Sequence, residues 1–147
     1  MRRRSATGIT LAFGLLLSIT AAADAPAPIA TTVCQLADAG KRMHGQKVRL
    51  KAVLISDLMH SSVLKDRDCP TRNVTPFSDK PDGDTSIEAF DDAIRGSLDD
   101  YELRVFAVDV SGIFRWSEEG QPHGELVLEK VWSYKRHHGD WRDLEIP

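Results

Sequence analysis

No stretch of this chain after residue 19 is apolar for long enough to cross a bilayer. The one earlier run, Ile9 to Ile19, is about half of the ~20 residues that a spanning helix needs. Cysteine is nearly absent too. Cys34 and Cys69 stand alone, with no C-x-x-C pair and no adjacent histidine, which argues against a redox dithiol or a cysteine-rich zinc site. There is no G-x-S-x-G elbow, no H-E-x-x-H helix, no phosphate loop and no G-x-G-x-x-G turn. Positive charge is not in excess: 19 Lys plus Arg stand against 22 Asp plus Glu. Three of those basic residues, Arg2, Arg3 and Arg4, lie in the first few positions, so the remainder is more acidic still. A phosphate backbone would be repelled on average, and no nucleic-acid partner is expected.

What is present at the N-terminus is the pattern of a secretory signal peptide: the three arginines, the apolar run, then the small residues Ala21-Ala22-Ala23. Cleavage after Ala23 divides the chain into a signal peptide over 1–23, a flexible leader over 24–31, one domain over 32–134 and a C-terminal tail over 135–147. The expected location is periplasmic or secreted, with no membrane span after cleavage. In an oxidising compartment Cys34 and Cys69, 35 residues apart, read first as a disulfide. A catalytic thiol is the alternative.

Along the domain, Thr32-Val33-Cys34-Gln35 fits a capping box and Gly40 is placed to end a short helix. Val48, Leu50, Ala52 and Leu54 alternate with Arg49 and Lys51, a strand with one wet face; Val53 and Ile55 predict burial on both sides at its far end. Ser62 to Lys65 reads as a second strand and 66–85 as a long loop carrying Cys69. Ser86 to Phe90 reads as a third strand, followed by a helix whose face is Phe90, Ile94 and Leu98. Leu103 to Trp116 and Glu125 to Tyr134 read as the last two strands, with Gly112 marking a bulge. The expected class is mainly β with short helices: a five-stranded barrel of the OB type, its N-terminal helix stapled by the disulfide.

Four segments resemble a group of small exported bacterial OB-fold-like proteins. They are Thr32-Val33-Cys34-Gln35-Leu36; Gly45 to Ala52; Ser56-Asp57 to His60 with Cys69-Pro70; and Val108 to Phe114 with His123 to Leu128. Ala52 departs from the pattern, standing where a strand glycine is common. The resemblance implies an exported β-barrel domain and no particular reaction.

In an OB barrel the loops after the first and fourth strands flank the ligand face. Those loops hold Asp57 and His60, and Glu118 and His123, which are the candidate ligand-binding or metal-binding residues. Brought together, they would suit zinc or another transition metal; otherwise no cofactor is expected and the histidines are simply solvated. Trp116 and Trp132 are expected to pair across the last two strands, with a stacking platform for a sugar or peptide as the functional alternative. The sequence therefore points to a non-catalytic exported binding module, its partner a small molecule, a peptide or an envelope protein. The alternatives are a structural or partner-binding envelope protein that uses 66–85 as its contact surface, and a small metal-dependent hydrolase built on the loop histidines.

Overall fold

The computed structural model describes residues 26–57, 61–78, 84–96, 102–118 and 123–144. The expected signal peptide lies outside them. The chain runs β1 (Ile29–Thr31), α1 (Val33–Ala39), β2 (Lys47–Ser56), β3 (Ser62–Lys65), β4 (Thr75–Phe77), α2 (Thr85–Arg95), β5 (Arg104–Arg115) and β6 (Glu125–His137), with single 3-10 turns at Gly40–Met43 and Trp141–Asp143. Among the described residues no helix is long and apolar enough to cross a membrane.

The six strands form one sheet in the order β1-β2-β5-β6-β4, with β3 paired to the far end of β2. Its backbone is the antiparallel β2/β5 ladder, from Lys47 opposite Ile113 to Ser56 opposite Arg104. β5 and β6 are antiparallel, while β1/β2 and β4/β6 are parallel. The arrangement is an open sheet of six strands where a five-stranded barrel was expected. Among the described residues, a bridge from Leu64 to Val74 joins the two edges formed by β3 and β4. β3 and β4 are four and three residues long, and Pro76 in β4 has no N–H to give a ladder.

Three local expectations change. Thr75–Phe77, placed in the long loop over 66–85, is instead strand β4 in parallel register with Glu125 to Val127. Ile29–Thr31, placed in the flexible leader, is instead a strand in parallel register with Val48 to Leu50. The expected strand Ser86 to Phe90 is the first half of α2: the Asp84 side chain accepts from the Ser86 N–H at 2.8 Å, and Ile87 and Phe90 are buried on one face. A helix cap and an i, i+3 apolar pair outweigh the short alternation that resembles a strand. Ile94 packs on that same face; Leu98 lies outside the described residues.

Elsewhere the local reading holds. In α1 the Thr32 hydroxyl accepts from the Gln35 N–H, and the Gln35 side chain accepts from the Thr32 N–H, each at 3.1 Å. Val33, Leu36 and Ala37 are buried, and Gly40 leaves the helix at a φ of 53°, which suits glycine. Cys34 and Cys69 form the disulfide, their Cα atoms 5.8 Å apart, tying α1 to the turn after β3. Arg72 and Asp38 form an ion pair across the same junction. Register shifts fall between Asp109 and Val110 and between Ser111 and Gly112, as the bulge expectation requires. A Cβ at Gly112 would lie 2.0 Å from the Val127 carbonyl oxygen, so the two backbones approach too closely for any side chain there.

Both helices cover one face of the sheet. There Val33, Leu36, Ile87 and Phe90 meet Val48, Leu50, Leu54, Phe106, Val108, Phe114 and Leu126 in the main core. Phe90, Phe106 and Tyr134 form an aromatic cluster with centroids 5.2–6.2 Å apart. The opposite face is covered only at one end. The expected tail extends β6 to His137 and then folds back, so that Trp141 and Leu144 lie on Val53, Ile55, Val105 and Ala107. This gives Val53 and Ile55 the second buried side that the sequence predicts.

Candidate functional site

Strand alternation sends Lys47, Arg49 and Lys51 of β2 to the face away from the helices, because Val48, Leu50 and Ala52 face the core. Cross-strand register then brings Asp109 opposite Lys51 and Ser111 opposite Arg49. On β6 the register shifts bring Ser133 opposite Asp109 and Lys130 opposite Ser111, with Trp132 between them in the bulge. The uncovered part of the sheet is therefore polar and basic, while the chain as a whole carries a net charge of −3.

The cations on this face are held in place. Arg49 donates two hydrogen bonds to Asp109, Nε to Oδ1 and Nη2 to Oδ2, each at 2.8 Å. This forked geometry is the strongest arrangement open to the pair. The hydrogen bond to Asp109 raises the Arg49 pKa above its ordinary value, and the carboxylate's charge adds to the effect against a partial loss of solvent. The guanidinium also lies over the Trp132 ring, 4.2 Å from its centroid, and the Lys130 ammonium lies 4.4 Å from the same centroid. Trp132 is fixed in turn, its Nε1–H donating to Ser111 Oγ at 3.1 Å. Lys47 pairs with Glu129 at 2.8 Å.

Two grooves flank this cluster. One, of about 440 Å³, runs over Ala107, Asp109, Ser133, Lys135 and His137 toward Asp143 and Leu144 of the folded-back tail. The other, of about 410 Å³, lies between β2 and the segment Ala30 to Thr32. Lys51 and Asp109 border both, so the two depressions meet on either side of this pair.

The residues singled out from sequence do not assemble here. Asp57 closes the β2–β3 connection, its Oδ1 accepting from the Ser61 N–H at 2.8 Å, and His60 lies outside the described residues. Glu118 pairs with Lys41 at 3.1 Å on an exposed surface. His123 is tied to Asn73: its N–H donates to the Asn73 carbonyl at 2.9 Å and its Nδ1 accepts from the Asn73 N–H at 3.4 Å. Asp57 follows one end of the β2/β5 ladder, whereas Glu118 and His123 follow the other. About 30 Å of strand separates those ends. Among the described residues no group of three or more His, Cys, Asp or Glu side chains is placed to hold a metal ion.

The expected pairing of Trp116 with Trp132 is absent. Trp116 packs against Gly40 and the main core, while Trp132 lies on the other face with its cations. The bulges in β6 shift its side-chain alternation, and that offset was invisible without the register. One signal for the Arg49–Asp109–Trp132 cluster was present. Asp109 sits alone in the apolar run Val105 to Val110, and an acid in such a run needs a partner of opposite charge. Arg49, on the wet face of the first long strand, was the available one. Neither the models of protein families nor the curated proteins contain a match to this chain.

Proposed function

We propose that the protein is an exported, non-catalytic binding module of OB-like plan whose ligand surface is the open face of β2, β5 and β6. The observation that carries this reading is the asymmetry of the sheet. One face is sealed by two helices, while the other, beyond the end covered by Trp141 and Leu144, keeps two neighbouring grooves around fixed polar groups. Binding surfaces favour such pre-ordered side chains, since little rotamer freedom remains to be lost. The OB-like plan is supported by the parallel β4/β6 pair, the helix between β4 and β5 and the bridge from Leu64 to Val74. Export is supported by the N-terminal sequence and by the disulfide.

The test is amide-resolved NMR of the protein without its first 23 residues, titrated with a panel of oligosaccharides, peptides and nucleotides. Shifts should cluster at residues 49–51, 107–111 and 130–137. Shifts confined to α1 and α2, or chemical turnover of any panel member, would overturn the proposal.

A further inference from the structure

We infer that the ligand of the open face is an acidic polysaccharide, a chain of sugars bearing carboxylate or sulfate groups; this deepens the binding-face reading and rests on it. Charge complementarity is the first argument. Lys47, Arg49, Lys51, Lys130 and Lys135 project from one face; of the acids there, Asp109 and Glu129 are engaged by Arg49 and Lys47, and Asp143 lies at the tail end of the first groove. The face is thus positive in a chain whose overall charge is negative. A ligand drawn to it carries negative charge.

Shape is the second argument. The two grooves lie on either side of Lys51 and Asp109, which border both, and a site of two neighbouring depressions fits an extended chain better than a single ion. Their linings mix hydroxyl, amine and carboxylate groups with small apolar residues, suited to the alternating hydroxyls and ring faces of sugars.

The state of Trp132 is the third. A single-stranded nucleic acid binds by laying its bases on open aromatic rings. Here Arg49 and Lys130 already lie over the indole ring. The tryptophan acts as a brace that holds two cationic heads at fixed positions, which favours anions spaced along a polymer over stacked bases.

The experiment is calorimetric titration of the protein lacking residues 1–23 with four probes: oligogalacturonate, heparin oligosaccharide, neutral maltohexaose and oligo-dT. The variant Lys130→Glu/Lys135→Glu, checked for an unchanged thermal midpoint, reports on the face, and Trp132→Ala on the brace. Binding of either acidic sugar, weakened by added salt and by at least about tenfold in the double lysine variant, is the expected result. Which of the two binds distinguishes carboxylate from sulfate. Trp132→Ala should weaken the same probe while leaving the fold intact. Maltohexaose binding as tightly would sink the charge argument yet leave the face as a binding surface. Preference for oligo-dT would replace the polysaccharide with a nucleic acid. Acidic-sugar binding indifferent to the lysine variant would refute both the inference and the face, and no binding to any probe would refute the inference.

Discussion

Removing the disulfide is the sharpest test of how this domain holds together. The double variant Cys34→Ala/Cys69→Ala opens a link between residues 35 positions apart. On the chain-entropy account, closing a loop of that length removes about 4 kcal/mol of freedom from the unfolded chain. A domain of this size has roughly 5–15 kcal/mol of stability in all, so between about a quarter and four fifths of its margin is at stake. With a urea dependence near 1.5 kcal/mol per molar, the unfolding midpoint should fall by about 2–3 M. The neighbouring Arg72–Asp38 ion pair joins the same two parts of the chain and serves as the comparison. Both of its side chains are substantially exposed, so Arg72→Ala should cost no more than about 1 kcal/mol. Urea titrations followed by tryptophan fluorescence, on wild type and both variants, read all three quantities. If the cysteine variant moves the midpoint by less than about 0.5 M, the tether contributes nothing and the docking of α1 rests on Val33 and Leu36 alone.

Other consequences are as specific. Gly112→Ala puts a methyl group 2.0 Å from the Val127 carbonyl oxygen, in backbone that has nowhere to move; a loss of about 3 kcal/mol in thermal or urea unfolding is expected, and a neutral result would contradict the strand register. The Asp84 carboxylate is held below its ordinary pKa, first by its hydrogen bonds to Ser86 at the start of α2. Its contribution is therefore present above the usual carboxylate range and is lost as pH falls through its lowered pKa, so Asp84→Ala should flatten stability measured below about pH 4; an unaltered acid limb would exclude it. In the Arg49–Asp109 pair, the aspartate side chain is far the more enclosed of the two, 11% exposed against 41%. Arg49→Ala, which strands the carboxylate, should destabilise more than Asp109→Ala, which leaves a guanidinium that water can reach; equal losses in chemical denaturation would refute that asymmetry.

Much of the local structure was legible because it is written in neighbouring residues. Thr32 and Gln35 cap α1, Gly112 marks the bulge, and the alternation from Val48 to Leu54 gives β2 its two faces. What stayed hidden depends on partners far along the chain. Ile29–Thr31 carries no alternation long enough to signal a strand, and becomes one only because the β2 edge is there to receive it. Thr75–Phe77 is equally short and contains a proline. Ser86 to Phe90 carries both patterns, and the Asp84 cap together with docking on the sheet selects the helix. The cluster of Arg49, Asp109 and Trp132 stayed hidden for a related reason. Loops were the expected place for binding groups, whereas these three sit within strands and are brought together by pairing and by two offsets in β6.

The placement of β6 also bears on when the chain can fold. The last long strand is an interior member of the sheet, with β5 on one side and β4 on the other. Until Glu125–His137 emerge from the machinery that makes or carries the chain, β4 has no ladder partner and one side of β5 is open. Assembly is thus deferred until that strand is out, and a nascent chain halted short of it would present bare strand edges to whatever lies nearby.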